Sequence, residues 1–376
     1  MRSTLALLLF TGATGLFAAS CADDETVSPV GGTTTTTTET VTPQACVPKE
    51  GPMPFEKLTD YCIYQGELKT LTPSEGVYPY DVAAALWSDH AAKQRLIVLP
   101  PGGKIKFDDG EGWQFPLGTI IAKTFSFYDD FRDLSTPHHI LETRLLILGE
   151  DGWTGHVYRW NDEQTEATRM VAGERVDVGY IDEDGEKYNE EYIVPNTNQC
   201  KSCHMRDDKV VLLGPITHQM NRTVTRDGKD VNQLEDMAQK GLFDGVIPAV
   251  QNLPAFPDPF GDAPLDDRAR AYLHANCSHC HRPGGGGGLS GLVLLDWEHG
   301  AQKNGICKEP AAAGPGTGGF DYDVVPGHPE QSILIYRVSS TDPQIKMPEL
   351  PNRIVDKKGV ALLTEWIQNM DPQACQ

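Results

Sequence analysis

Two copies of the pattern C-x-x-C-H constrain the folding of this 376-residue chain more than any other feature. They occupy residues 200–204 and 277–281. In this pattern two thiols bond to the vinyl groups of one porphyrin, and the histidine ligates its iron. We therefore expect two haem c groups, and a chain that carries two porphyrins must fold around both. The expected attachment points are Cys200, Cys203, Cys277 and Cys280, and the expected proximal iron ligands are His204 and His281.

The second copy lies at the end of a predicted helix. Ala269 and Leu273 fall on one face of a helical pattern that runs directly into Cys277. Periodic apolar residues predict two further helices, one near residues 332–338 and one over residues 360–370. The order of helix, haem motif, helix, loop and helix resembles that of class I cytochromes c.

A loop between the last two predicted helices carries Met347. Its position relative to the second motif makes it the expected distal ligand of the second haem. A thioether opposite an imidazole raises the reduction potential and gives a six-coordinate iron suited to electron transfer. The alternative is a loop methionine that packs on the core.

No amphipathic helix is predicted before the first copy, so its haem is expected at the edge of a β domain. The candidates for its distal ligand are His218 or Met220, with His138 and His139 as further possibilities. A zinc site is the alternative to haem here. Its ligands would be Cys200 and Cys203 with one or two of His204 and His218.

Runs of β-branched and aromatic residues between turn signals predict strands before the first motif. These runs cover residues 95–99, 119–127, 142–148 and 156–160. We therefore expect an α+β multidomain chain. A mostly-β domain over residues 51–260 carries the first C-x-x-C-H, and an all-α class I cytochrome c domain over residues 261–376 carries the second.

The N-terminus has the features of an export signal. Residues 1–20 contain a positive charge, an apolar run and then small residues, as in a secretory signal peptide. Cys21 follows directly, which resembles the bacterial lipoprotein pattern in which this cysteine is lipidated; an ordinary signal peptide is the alternative. The Thr-rich composition of residues 21–50 predicts a disordered tether. We expect a lipid-anchored chain without a transmembrane helix, at the outer membrane facing the periplasm or the cell surface.

The remaining cysteines predict disulfides. Nine cysteines are present, and the lipid and the two haems account for five, leaving Cys46, Cys62, Cys307 and Cys375. An even remainder in an exported chain indicates two disulfides, for which three connectivities exist. We favour Cys46 with Cys62 and Cys307 with Cys375, because each bridge then stays within one region.

The formal net charge of -21 bears on the partners. It argues against nucleic acid or an anionic membrane surface, because phosphate-binding faces need clustered Lys and Arg. A basic or neutral redox protein fits better, although the charge is also explained by solubility alone.

Several segments outside the haem motifs add a resemblance to a known family. They are residues 115–119 (FPLGT), 142–145 (ETRL), 158–161 (YRWN) and 269–276 (ARAYLHAN). Together with the two motifs, they resemble a bacterial family of dihaem c-type cytochromes and the C-terminal module of some PQQ-dependent sugar dehydrogenases. The resemblance covers roughly residues 55–370 and implies an electron acceptor or relay.

The expected function is electron transfer, with electrons received or relayed between a protein donor and a protein acceptor such as a dehydrogenase. One alternative is a dihaem enzyme of peroxidase type with one open-coordinate haem. Another is a sensor or binding module in which the haem reports the state of the β domain.

Overall fold

A six-stranded antiparallel sheet is the framework of the described part of the chain. This computed structural model describes residues 46–295, 300, 303–311, 314–349, 352–372 and 375. The signal segment, Cys21 and the tether as far as residue 45 lie outside these residues. Contacts join the described residues into one compact unit.

The six strands follow each other in chain order, so that each one is hydrogen-bonded to the next. They are β1 (Val77–Tyr80), β2 (Ala92–Val98), β3 (Ile120–Tyr128), β4 (His138–Gly149), β5 (Gly152–Trp160) and β6 (Ala167–Met170). The four strands predicted from the sequence fall on β2 to β5. Their β-branched and aromatic residues alternate with polar ones, which suits a sheet that presents two different faces.

Three two-stranded antiparallel sheets follow the six-stranded sheet along the chain. Their strands are β7 (Glu174–Ile181) with β8 (Lys187–Val194), β9 (Met205–Arg206) with β10 (Lys209–Val210), and β11 (Thr223–Arg226) with β12 (Lys229–Asn232). The α-helices are α1 (Thr197–His204), α2 (Thr217–Met220), α3 (Gln233–Gln239), α4 (Leu265–Cys277), α5 (Ile333–Val338) and α6 (Lys357–Gln368). Within the described ranges, no helix is long and apolar enough to cross a membrane.

The expected all-α class I cytochrome c domain over residues 261–376 is wrong. The structure is mostly β, and the described residues contain no large all-α domain. After residue 261 the described helices are α4, α5 and α6, and turns and loops connect them. The physical reason lies in the glycine- and proline-rich segments, such as residues 284–288 and 314–319, because both residue types disfavour helix interiors.

The two faces of the large sheet have different partners. On one face, Leu96, Ala122 and Leu145 are in register on adjacent strands and pack against Tyr61 and Ile63 from the segment before β1. The other face has two apolar clusters, one around Ile97 and Ile121 and one around Phe125 and Val157. A band of charged side chains lies between these clusters and faces the first C-x-x-C-H motif.

Helices α4 and α6 form a separate apolar cluster. Ala269 and Leu273 from α4 are buried with Leu363 and Ile367 from α6. The predicted helices thus exist as α4, α5 and α6. Their packing fixes the C-terminal end of α4, where the second motif begins.

Candidate functional site

Helix α1 carries the first C-x-x-C-H motif. Its N-terminus is a capping box in which the Asn196 side chain accepts a hydrogen bond from the Gln199 N–H at 2.9 Å. The Gln199 side chain accepts from the Asn196 N–H at 2.8 Å in return. A Cβ at Gly155 of β5 would lie 3.5 Å from Cys200 Cβ, an ordinary van der Waals distance, so β5 and α1 pack closely at this point. The cap and this packing therefore set the motif against the sheet.

The imidazole of His204 is oriented for coordination. Its Nδ1 lies 2.8 Å from the carbonyl oxygen of Val211. Because a carbonyl oxygen can only accept, Nδ1 carries the proton and donates, which leaves the Nε2 lone pair available to a metal. Burial lowers the pKa of His204, which favours this neutral form.

The second motif has the same arrangement on a different element. Cys277 is the last residue of α4, and the following turn brings the His281 N–H to 2.9 Å from the Cys277 carbonyl oxygen. His281 Nδ1 lies 3.0 Å from Ser290 Oγ. The Ser290 hydroxyl donates to the Gly287 carbonyl oxygen at 2.7 Å, so it accepts from Nδ1 and again leaves Nε2 available. Burial lowers the pKa of His281 to about 4.

The two motifs meet in space, although 77 residues separate their first cysteines in the sequence. The Cys280 thiol donates to the carbonyl oxygen of Ser202 at 3.5 Å. A hydrogen bond between the thiols of Cys203 and Cys280 lowers the pKa of Cys203 and raises that of Cys280. The attachment points of the two predicted haems are thus neighbours.

Glu111 joins the segments that follow the two motifs. Its carboxylate accepts two hydrogen bonds from Arg282, at 2.8 and 2.7 Å, and one from Arg206 at 3.1 Å. Burial would raise the pKa of Glu111, but the hydrogen bonds and charges of Arg282 and Arg206 outweigh it and lower the pKa to about 2. One carboxylate therefore holds both segments together.

A large cavity lies between the sheet and the first motif. It contains about 1550 Å³ of empty space, part of which is open to solvent. Cys200, Cys203 and His204 from α1 line one wall, and His274 from α4 lines it as well. The opposite wall is the sheet, where apolar residues flank three cations. The cations are Arg95, Lys123 and Arg144, named here the cation row.

A smaller cavity lies beside the second motif. Cys277 and Met347 both line it, together with Tyr272 and Ile354. The Met347 N–H donates to the carbonyl oxygen of Arg337 at 3.1 Å, which fixes the loop next to α5. The structure thus places Met347 and Cys277 on the wall of one cavity, which His281 does not line.

The other candidate distal ligands do not line the cavity of the first motif. His218 packs against the ring of Phe256. Met220 is fully buried in the core, where its sulfur accepts a hydrogen bond from Gln233 at 3.5 Å. His138 stacks on Tyr128, and His139 lies 2.9 Å from a carboxylate oxygen of Asp129.

The remaining cysteines form two disulfides. Cys46 is bonded to Cys62 and Cys307 to Cys375, which is the pairing expected from the sequence. The cysteines of both motifs are free thiols. Among the residues that the structure describes, no group of three or more His, Cys, Asp or Glu side chains is arranged to hold a metal ion. The ligand set of the zinc alternative is thus not assembled.

Sequence reasoning missed three residues at the first motif: Glu111, Lys123 and His274. A signal existed for Lys123, because it stands between Ile121 and Phe125 in the period of two and so shares their buried face. A signal existed for His274 as well, since it lies three positions after Ala271 in α4 and so shares a helix face with an apolar residue. Glu111 lies in a polar loop segment, and nothing in the sequence distinguishes it.

The site provides what a covalently attached haem needs from the chain. Each motif offers two free thiols and one imidazole with Nε2 available, and the larger cavity combines apolar walls with cations that suit carboxylates. Comparisons of this chain with protein-family models, with curated proteins and with solved structures found no match.

Proposed function

We propose that this chain is an exported c-type cytochrome that carries two haem c groups and transfers electrons between protein partners. The observation that supports this proposal best is the contact between the two C-x-x-C-H motifs, in which the Cys280 thiol donates to the carbonyl oxygen of Ser202 at 3.5 Å. Electron transfer between two centres requires them to be close. Adjacent attachment points meet that requirement within one chain.

Haem c would supply a one-electron iron couple when attached. The chain's own residues would tune it. The hydrogen bonds from His204 to Val211 and from His281 to Ser290 hold each imidazole in one tautomer and one orientation. Met347, which lines the same cavity as Cys277, is the proposed distal ligand at the second motif, where a thioether would raise the potential.

The cellular setting forms part of the proposal. Two disulfides are typical of proteins in an oxidising compartment, which supports export. The proposed anchor is a lipid on Cys21, at the outer membrane facing the periplasm or the cell surface. The proposed partners are a protein donor and a protein acceptor with basic or neutral surfaces, because this chain has a net charge of -21.

A dihaem enzyme of peroxidase type is the second candidate. The observation in its favour is that His274 lines the same cavity as His204. An imidazole next to an open coordination position could move protons. A high-spin ferric signal in the resting protein, together with turnover of hydrogen peroxide, would favour this candidate over electron transfer.

The first experiment is a count of haems per chain. The protein is expressed with the haem c maturation machinery, and the count comes from pyridine haemochrome absorbance and intact mass. We expect two haems per chain. A variant with Cys200→Ala and Cys203→Ala should retain one haem, and so should a variant with Cys277→Ala and Cys280→Ala.

The opposite result would be a mature chain without haem. If its mass instead shows a bridge between Cys203 and Cys280, the two motifs act as a dithiol pair and the proposal fails. A chain with one haem at the second motif would reduce the relay to a single-haem carrier.

A further inference from the structure

The cation row places three positive side chains next to each other on a buried sheet face. Arg95 of β2 is in register with Lys123 of β3, and Lys123 is in register with Arg144 of β4. Residues in register on adjacent strands have Cα atoms about 4.5–5.5 Å apart and side chains on the same face. Like charges placed directly opposite each other destabilise a sheet, so the row requires negative charge nearby.

The two arginines have carboxylate partners within the chain. Arg95 lies 2.9 Å from an oxygen of Asp81. Arg144 donates two hydrogen bonds to Glu142, which is fully buried and also accepts one from the Tyr192 hydroxyl at 2.7 Å. Two of the three charges in the row are therefore balanced.

Lys123 has no such partner. Within the described residues, its ammonium has no hydrogen bond or ion pair with a carboxylate. The ammonium lies over the ring of Phe125, 4.9 Å from the ring centroid. Burial and the charges of Arg95 and Lys93 lower the pKa of Lys123 well below its usual range. An anion beside this side chain would raise the pKa of Lys123.

The cation row and the first motif line the same cavity. Arg95, Lys123 and Arg144 line the same cavity as Cys200 and Cys203. Apolar side chains of the sheet, including Ile121 and Leu146, line it next to the row. A ligand with an apolar body and carboxylates at one edge would match both parts of this wall.

We infer that the cation row is a carboxylate-binding site and that its occupants are the propionates of the haem attached at Cys200 and Cys203. This inference rests on the proposed function. Lys123 acts as a positioning residue that supplies the one unbalanced charge of the row. By compensating a propionate, it disfavours the ferric charge and raises the reduction potential of that haem.

The experiment compares the redox titrations of wild type, Lys123→Met and Lys123→Arg, each as the full chain with its haems attached. We expect Lys123→Met to lower one of the two midpoint potentials and to leave the other unchanged. Lys123→Arg keeps the charge and should return the lowered potential towards the wild-type value. Lys93→Met is the matched control, because Lys93 is on the same face of β2 but does not line the cavity.

Three results would overturn the inference. A Lys123→Met titration that coincides with wild type would show that Lys123 compensates no haem carboxylate. An equal fall in Lys93→Met would assign the effect to the general field of the sheet. Conversion of a low-spin to a high-spin ferric signal in both Lys123 variants would make Lys123 an iron ligand instead.

A second measurement distinguishes the haem propionates from a free carboxylate ligand. Sodium acetate is added to wild type at constant ionic strength, with sodium chloride as the reference. We expect the spectrum and potentials to be the same in both salts. An acetate-dependent shift that Lys123→Met abolishes would show a small-molecule site. A wild type without haem would overturn both the proposed function and this inference, whereas two haems with unmoved potentials would overturn only this inference.

Discussion

At the scale of single residues, ion pairs of Glu111 join the segments that follow the two motifs. Glu111 comes from a loop before β3, yet it holds Arg206, two residues after the first motif, and Arg282, directly after the second. Its side chain is 23% exposed. A partly buried carboxylate between two guanidinium groups should contribute measurably to stability.

We predict that Glu111→Gln lowers the free energy of unfolding by about 2 kcal/mol at pH 7, because it leaves two arginines without their carboxylate. The pKa of Glu111 is depressed from its ordinary 4.5 to about 2 in the folded chain. Its stabilisation is therefore complete above pH 4.5 and is lost as the pH falls towards 2. Urea unfolding of both proteins should show their difference shrinking over that range.

Glu67→Gln is the control for this prediction. Glu67 pairs with Lys69, and both side chains are largely exposed. Its replacement should change the free energy of unfolding by less than about 0.5 kcal/mol. A difference between wild type and Glu111→Gln that stays constant down to pH 2 would contradict the assignment.

Single residues also show where sequence reasoning succeeds and where it stops. The motif cysteines and histidines are recognisable because their spacing is fixed by one porphyrin. The order of elements along the chain predicts Met347 as a distal ligand; the structure puts Met347 and Cys277 on the wall of one cavity, and the role as ligand stays a prediction. Glu111 could not be found, because its role depends on two arginines that are remote in the sequence and become neighbours only in the fold.

At the scale of elements, the two motifs begin from different helices. Helix α4 has 13 residues and a buried apolar face, whereas α1 has 8 residues, none of them buried. A short helix without a buried face depends on its cap for stability. The capping box of Asn196 and Gln199 is therefore important for the first motif.

We predict that Asn196→Ala lowers the free energy of unfolding by about 1 kcal/mol and reduces haem attachment at the first motif. Asn232→Ala is the matched control, since Asn232 caps α3, which carries no motif. This replacement should lower the free energy of unfolding in urea by a similar amount, without a loss of haem. Mass analysis of peptides containing residues 200–204 measures the attachment. Equal haem loss in both variants would contradict the role of the α1 cap.

The elements were predictable to different degrees. Strands β2 to β5 and helix α4 have strong periodicity, and the sequence predicts all of them. Helix α1 was missed because it has no amphipathic pattern, although the Asn-x-x-Gln spacing of its capping box was a signal. The prediction of an all-α domain was wrong. The order of the helices resembles that of a class I cytochrome c, but glycine- and proline-rich loops separate the helices.

At the scale of the whole molecule, the disulfides tie down regions of different size. Cys46–Cys62 closes a loop with a sequence separation of 16, and Cys307–Cys375 one of 68. The longer loop has more conformational entropy in the unfolded chain. Its bridge restricts the residues between α4 and the C-terminus, including the Met347 loop.

We predict that the pair Cys307→Ala and Cys375→Ala lowers the free energy of unfolding by about 4 kcal/mol, and the pair Cys46→Ala and Cys62→Ala by about 3 kcal/mol. The order follows from the entropy of loop closure. Urea unfolding under non-reducing conditions measures both values. A larger loss from the shorter loop would show that native contacts of the bridges outweigh the chain entropy.

The contact between Cys203 and Cys280 also constrains the biogenesis of the chain. The compartment that oxidises the two structural disulfides would oxidise any other pair of neighbouring thiols. A bridge between Cys203 and Cys280 would remove one of the two attachment points from each motif. If the chain carries haem as proposed, the haem would have to be attached before the chain folds, while the motifs are still apart. Premature folding would then leave each motif without one of its two bonds to haem.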